Sequence, residues 1–134
     1  MASKSDKQLS ARRARGTAAR LAGRRQEVVA ALWLMAKGYR ILGFRLRTRE
    51  AEIDLLAQRG RILAVVEVKS RTTVEAALEA VTAVQRDRLR RAGRTLAAKT
   101  PRLAGLNLRL DLIALAPGAL PRHIRDAWRD DAVF

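Results

Sequence analysis

The sequence predicts an α/β (α+β) domain in which helices flank a mixed sheet of four to five strands. Its apolar segments follow the order helix, three strands, helix, then one or two strands, which is typical of this class. The 134 residues suffice for one domain with a real core and are too few for two ordinary ones. We expect a single domain at 23–134, preceded by a flexible basic arm at 1–22.

The first helix is predicted from about Gly23 to Lys37. Val28, Leu32 and Met35 recur there at helical spacing, and their apolar neighbours widen the surface, so we expect the second half to be largely buried. The arm before it is rich in arginine and contains glycines, including Gly16, that weaken a helix. Two interpretations of the arm stay open, a frayed helix start and a segment that contacts nucleic acid.

A strand over Tyr39–Leu46 and then a β-hairpin are predicted next. The hairpin strands, Ile53–Ala57 and Ile62–Val68, are apolar and are separated by Gln58-Arg59-Gly60-Arg61. Two further strands are predicted nearer the C-terminus, over Leu106–Leu115 and Arg122–Trp128. His123, the only histidine, is expected at the surface of the last strand.

Charged residues interrupt the apolar hairpin, where packing alone disfavours them. Asp54 lies in the first strand, and Glu67 and Lys69 lie at the end of the second. With a turn centred on Arg59-Gly60, Asp54 faces Val65 and Glu67 is its diagonal neighbour, roughly 7–8 Å away. Lys69 points to the same face, because strand side chains alternate with period two. The sequence therefore predicts two carboxylates on one face, at a spacing that allows them to share one cation.

The second half of the chain contains two predicted helices. Thr73 is expected to cap a helix that begins near Val74, and a longer helix is predicted from about Thr82 to Lys99. The expected inner face of the longer helix consists of Val81, Val84, Leu89, Ala92 and Leu96, and its outer stripe of Arg86, Arg90 and Arg94. Gln85 is a polar residue on the inner face, either a boundary residue or part of a site.

The composition favours a nucleic-acid partner. Lys and Arg number 28 against 13 Asp and Glu, for a net charge of +15. Phosphate-rich partners explain such an excess better than a merely solubilising charge, because neutralising phosphates releases counterions. The absence of cysteine excludes disulfides and thiol chemistry and favours the cytoplasm. The longest apolar run, Val28–Ala36, is too short to cross a membrane, and the polar N-terminus does not resemble a secretory signal.

The hairpin cluster has a direct chemical use. Asp54, Glu67 and the backbone carbonyl of Val68 could supply oxygen ligands to Mg²⁺, which prefers oxygen and keeps several waters. Lys69 could orient or deprotonate the attacking water, or stabilise charge on the phosphate. The pattern predicts metal-dependent phosphodiester hydrolysis, and ligation by carboxylates alone disfavours a structural zinc site.

The chain also resembles the YraN family of bacterial proteins of unassigned function. The matching segments are Glu27, Gly38-Tyr39-Arg40-Ile41-Leu42, Glu52-Ile53-Asp54-Leu55, Val66-Glu67-Val68-Lys69-Ser70-Arg71 and Arg109-Leu110-Asp111-Leu112-Ile113. The resemblance implies a restriction-endonuclease-like fold, shared with PD-(D/E)xK nucleases and Holliday-junction resolvases. Ala51 departs from the family pattern, which usually has Gly before Glu-Ile-Asp.

The resemblance also implies roles for single residues. Asp54, Glu67 and Lys69 match the superfamily motif, and Glu27 matches an acidic residue of the first helix that would serve catalysis or a second metal. Gln85 matches a polar helix residue more weakly. We therefore expect a Mg²⁺- or Mn²⁺-dependent nuclease acting on DNA, branched or single-stranded. Many nucleases of this fold pair up, so the resemblance leaves both a monomer and a homodimer open.

Two other functions stay open at this point. One is a catalytically silent module that binds nucleic acid on a nuclease fold, and the other is an interaction protein with an acidic partner. For either nucleic-acid function, the expected contact residues are Arg24, Arg25, Arg71, Arg86, Arg90 and Arg94. A steep salt dependence of nucleic-acid binding is expected of the nuclease and of the silent module alike.

Overall fold

The computed structural model describes residues 3–129 and confirms a mixed sheet flanked by helices. In chain order the elements are α1 (Lys4–Ala36), β1 (Arg40–Arg47), β2 (Glu52–Arg59), β3 (Ile62–Ser70), α2 (Val74–Glu79), α3 (Ala83–Lys99), a 3₁₀ turn (Pro101–Leu103), β4 (Asn107–Leu115) and β5 (Arg122–Ile124). Among these described elements, no helix is both long enough and apolar enough to cross a membrane.

The five strands follow the spatial order β1-β2-β3-β4-β5. Neighbouring strands are antiparallel except for β3 and β4, which run parallel. A parallel pair needs a long crossover connection, and α2 and α3 provide it. As predicted, Thr73 caps α2, by accepting a hydrogen bond from the Ala76 amide.

The sheet buries an apolar cluster on each face. Ala30 and Leu34 of α1 pack on one face, and Leu89 and Ala92 of α3 pack on the other. Helix α3 approaches the sheet closely at Gly93, where an added Cβ would lie 2.7 Å from side-chain carbons of Val65 and Leu108. Glycine is therefore required at this contact.

The first helix begins at Lys4, well before the predicted start near Gly23. Ser3 and Asp6 form a capping box at its N-terminus, and Gly16 and Gly23 lie within the helix without ending it. The proposed boundary between residues 22 and 23 therefore lies inside a continuous helix. The described residues up to 22 are all exposed.

The expectation that the second half of α1 is largely buried is wrong. Only one side of the helix faces the sheet, and its buried residues are Glu27, Ala30, Ala31 and Leu34. The opposite side remains exposed; it carries Val28, Val29, Leu32 and Met35. Helical spacing correctly identified an apolar helix. It did not show that the sheet would cover only one side of that helix.

The hairpin register differs from the predicted one by two residues. Arg59 pairs with Ile62 and Leu55 pairs with Val66, so the turn consists of Gly60-Arg61. Gly60 has φ 57°, and glycine at the first central position is typical of a two-residue type II′ turn. Continuing this register places Asp54 directly opposite Glu67 instead of diagonal to it. A shift of two residues keeps every side chain on its face.

Three smaller expectations are also wrong. The last strand ends at Ile124 instead of Trp128, because the chain turns at Asp126, where φ is 51°. Val84 is not on the inner face of α3 but is 61% exposed. The His123 side chain is only 1% exposed and therefore belongs to the interior.

Candidate active site

The candidate site begins where β2 and β3 separate. Their paired residues run as far as Leu55 and Val66. Beyond this pair, the Asp54 carboxylate accepts a hydrogen bond of 2.9 Å from the Val68 amide. This hydrogen bond satisfies the Val68 amide and holds the Asp54 carboxylate in one orientation.

Glu67 lies against Asp54, as the parity of the two strands predicted. Burial of Glu67, the Asp54 charge and a hydrogen bond between the two groups raise the pKa of Glu67 to about 8. Lys69 opposes this rise, with its Nζ 3.5 Å from Glu67 Oε1. The surroundings therefore favour the neutral form of the Glu67 carboxyl over its charged form.

Glu67 and Lys69 line a cavity of about 210 Å³ between the sheet and α3. The cavity is lined by Glu50, Ala51, Glu52, Glu67, Lys69, Val81, Gln85, Arg88 and Leu89. Asp54 is not one of the lining residues, but its carboxyl contacts Glu67, which is one of them. Two cavity acids, Glu50 just before β2 and Glu52 at its first position, were not identified as site residues in the sequence. Their placement on either side of Ala51 was the available signal.

Glu50 is the most informative of these missed residues. Its Oε1 accepts a hydrogen bond of 3.1 Å from the Thr95 hydroxyl, and Thr48 holds its backbone amide at 3.1 Å. Its Oε2 is buried without a hydrogen-bond partner of ordinary geometry among the described residues, while hydrogen bonding by the Thr48 and Thr95 side chains lowers the pKa of Glu50. A buried carboxylate oxygen without a partner is costly unless a cation or a water satisfies it.

Gln85 is a helix-capping residue, and its role in a site stays a prediction. Its side chain accepts a hydrogen bond of 2.8 Å from the Thr82 amide, which completes a capping box at the start of α3. The residue is exposed and also lines the cavity. The amide therefore stabilises the helix start while remaining at the wall of the site.

Glu27 is held by a different partner. Arg45 Nε lies 3.0 and 2.8 Å from the two carboxylate oxygens of Glu27, which is buried on α1. Arg45 has φ 48°, a strained value for a residue other than glycine. The register of β1 and β2 places Arg45 across from Asp54. The ion pair thus braces the strand next to the site, and a catalytic role for Glu27 stays a prediction.

The donors near the cavity that bear on cation binding are carboxylate oxygens. In the described part of the chain, no three or more His, Cys, Asp or Glu residues are grouped so as to hold a metal ion. Asp54 and Glu67 nevertheless present carboxylates in contact, and Glu50 lines the cavity together with Glu67. Oxygen ligands of this kind, completed by water, fit Mg²⁺ or Mn²⁺.

The arginines expected to contact nucleic acid differ in their surroundings. Arg86 lies over the Trp128 ring at 5.7 Å and donates a hydrogen bond of 2.8 Å to the Val81 carbonyl, so it contributes to packing. Arg94 is exposed and Arg90 is half-buried. The others, Arg24, Arg25 and Arg71, are exposed, and Arg71 donates a hydrogen bond of 2.7 Å to the Ser70 carbonyl.

Comparison with known proteins identifies the family. The model of the family described as "Uncharacterised protein family UPF0102" matches residues 26–115. The chain belongs to UPF0102. A UPF0102 protein of Caulobacter vibrioides (strain NA1000 / CB15N) is 69% identical over 117 residues, which cover 87% of this chain and 94% of that protein. A UPF0102 protein of Paramagnetospirillum magneticum (strain ATCC 700264 / AMB-1) is 47% identical over 118 residues, covering 85% of this chain and 92% of that protein.

Membership of UPF0102 confirms the family resemblance stated from the sequence. The matched range contains the hairpin cluster, the cavity acids and Glu27. The names of the relatives assign no activity to the UPF0102 family. Any activity must therefore be inferred from the site itself.

Proposed function

We propose that this UPF0102 protein is a divalent-metal-dependent nuclease that hydrolyses phosphodiester bonds of DNA on a restriction-endonuclease-like fold. The contact between the Asp54 and Glu67 carboxyls, beside Lys69, carries the proposal. An acid that lines a cavity and has a strongly raised pKa, as Glu67 does, is typical of a functional site. The net charge of +15 supports a polyanionic substrate.

Mg²⁺ or Mn²⁺, when bound, would polarise the phosphate and activate a water. Asp54 and Glu67 would hold the cation, and water would complete its coordination. Asp54 is oriented for this by the Val68 amide. Glu67 must release its proton to bind a cation, and the nearby Lys69 ammonium favours that release.

Lys69 has a second task in this proposal. Its Nζ lies 3.5 Å from Glu67 Oε1 and is partly exposed at the cavity. From there the ammonium would stabilise negative charge that develops on the phosphate or orient the attacking water, whereas taking a proton from that water would require the neutral amine. Gln85 and Arg88 line the same wall and would position the phosphodiester backbone.

The alternative is a module that binds nucleic acid without cleaving it. With a pKa of about 8, Glu67 is mainly protonated at pH 7, which weakens cation binding. This observation favours the silent module as the second candidate. Such a module would bind with a steep salt dependence and without a metal requirement.

A cleavage assay separates the two candidates. Linear duplex, single-stranded, flap and four-way-junction DNA would be incubated with Mg²⁺ or Mn²⁺ at pH 7 and pH 9. The test variant is Asp54→Asn/Glu67→Gln, and Glu79→Gln, an exposed acid of α2, is the matched control. Metal-dependent products from wild type and control alone support the nuclease. Retained binding without product on any substrate supports the silent module.

A further inference from the structure

A second polar cluster lies on the sheet face opposite the candidate site. Asp111 of β4 pairs with Val66, whose side chain packs under α1. Glu67, by contrast, faces α3 across the cavity. The sheet therefore separates the two clusters, and the second one has no part in the proposed nuclease chemistry.

Asp111 is the centre of this cluster and is fully buried. Arg109 contacts both carboxylate oxygens, at 2.7 and 2.8 Å, and the Asp126 amide donates at 3.0 Å. Burial acts to raise the pKa of Asp111, but hydrogen bonds from His123, Arg109 and Asp126 more than offset it and hold the pKa below its ordinary value. The side chain is thus a carboxylate that accepts hydrogen bonds.

His123 connects this carboxylate to a lysine. Its Nε2 lies 2.8 Å from Asp111 Oδ2, and its ring packs edge-on against Tyr39 at 5.7 Å between centroids. Since Nε2 donates to a carboxylate, a neutral ring has its lone pair on Nδ1. Nδ1 lies 2.5 Å from Lys37 Nζ. Asp111, His123 and Lys37 are thus arranged as an orienting carboxylate, a base and a nucleophile.

Lys37 lies at the end of α1 and is half-buried, so a reactant can approach it from solvent. Burial and then the Arg125 charge lower the pKa of Lys37; Arg109 and Arg59 act in the same direction, and Asp111 opposes them. Arg59 and Arg125 are themselves exposed. The amine is therefore surrounded by cations that would attract an anionic reactant.

We propose that Lys37 is an acylation site that takes an acyl group from an acyl phosphate. The Nζ lone pair attacks the acyl carbon, a C–N bond forms, the bond from that carbon to the phosphate oxygen breaks, and inorganic phosphate leaves. One Nζ proton passes to His123 Nδ1, where Asp111 stabilises the imidazolium, and then to solvent. The product is an amide, and no oxidant or further reactant is needed.

The first test uses the other lysines as internal controls. The full chain is incubated with acetyl phosphate, and acetylation at each lysine is followed by peptide mass spectrometry. Lys37 should react several-fold faster than the exposed Lys4 and Lys99, and its rate should level off at a lower pH. A Lys37 rate equal to that of Lys4 and Lys99 across the pH range would overturn the proposal.

The second test removes the base. His123→Gln keeps an amide donor for Asp111 and removes the basic Nδ1, so the Lys37 rate should fall to that of Lys99. Thermal unfolding verifies that the variant is folded, and an unchanged Lys37 rate in a folded variant would refute the role of His123. If the variant does not fold, the pH profile of wild type decides.

A third test concerns the anionic donor. Acetyl phosphate is compared with a neutral acetyl thioester of N-acetylcysteamine, each rate being divided by that of Lys99. Acetyl phosphate should show the larger preference for Lys37, and Arg125→Gln should reduce that preference. Equal preference for the two donors would overturn the assignment to acyl phosphates.

Discussion

The Asp54 carboxylate accepts a hydrogen bond of 2.9 Å from the Val68 amide, at the point where pairing between β2 and β3 stops. The same carboxylate contacts Glu67. One side chain therefore combines a structural task with a place in the candidate site, and substitutions can separate the two.

Asp54→Asn should abolish cleavage while preserving most of the stability, because an amide oxygen can still accept the Val68 hydrogen bond. Asp54→Ala should also abolish cleavage and lower the free energy of unfolding by about 1–3 kcal/mol, because the buried donor loses its partner. Urea denaturation and the DNA cleavage assay measure the two effects. Cleavage by Asp54→Asn at the wild-type rate would contradict the proposed function.

Glu67 predicts a pH dependence of stability. Its pKa is raised in the folded state from 4.5 to about 8, so between these values the folded chain holds a proton that the unfolded chain has released. The stabilisation that the protonated Glu67 gives the folded state is fully present below about pH 4.5 and is lost as the pH rises through about 8. The free energy of unfolding changes over this range by at most about 1.4 kcal/mol per pH unit.

The matched variant for this prediction is Glu67→Gln, which cannot titrate. The difference in unfolding free energy between wild type and Glu67→Gln should therefore change in favour of the variant as the pH rises from 5 to 8. Chemical denaturation at several pH values measures this difference. A difference that does not change with pH would show that the Glu67 pKa is not raised.

The same protonation predicts how a metal ion binds. Since the cation and the proton compete for Glu67, the affinity for Mn²⁺ should increase as the pH rises towards 8. Titration calorimetry measures it, with Asp54→Asn/Glu67→Gln as the control that should not bind at this site. Equal binding by the control variant would locate the metal elsewhere.

Local sequence patterns predicted the elements that define the candidate site. Two apolar segments on either side of a short polar turn identified the hairpin, and helical spacing identified the helix now assigned to Ala83–Lys99. The facing of Asp54 and Glu67 survived an error of two residues in register, because only parity determines which face a side chain occupies. The predicted turn at Arg59-Gly60 was wrong, because the observed turn consists of Gly60-Arg61. Both of these adjacent dipeptides are compatible with a two-residue turn in the sequence.

Contacts between distant segments could not be predicted in this way. Glu50 joins the cavity only because its turn folds against Thr95 of α3, and Arg86 packs on Trp128, which is far away in the chain. His123 is buried because β5 places it against Asp111 and the end of α1. Each of these positions depends on tertiary packing, which overrides the usual surface preference of the residue type.

The ion pair between Glu27 and Arg45 predicts coupled losses of stability. Glu27→Gln and Arg45→Gln should each lower the free energy of unfolding by about 1–3 kcal/mol, because each leaves the partner charge less satisfied. The double variant should lose less than the sum of the two. Urea denaturation of all four proteins measures the coupling. Strictly additive losses would show that the pair does not brace β1 next to Asp54.

Arg86 and Arg94 on α3 offer a matched pair for nucleic-acid binding. Arg94 is exposed, so Arg94→Gln should leave stability unchanged and reduce the salt slope of DNA binding by about 0.9 if it contacts one phosphate. Arg86 packs on Trp128 and bonds the Val81 carbonyl, so Arg86→Gln should lower the free energy of unfolding by about 1–2 kcal/mol and leave the salt slope unchanged. Fluorescence anisotropy at several salt concentrations and urea denaturation measure both quantities. The reverse pattern would place Arg86, and not Arg94, on the DNA.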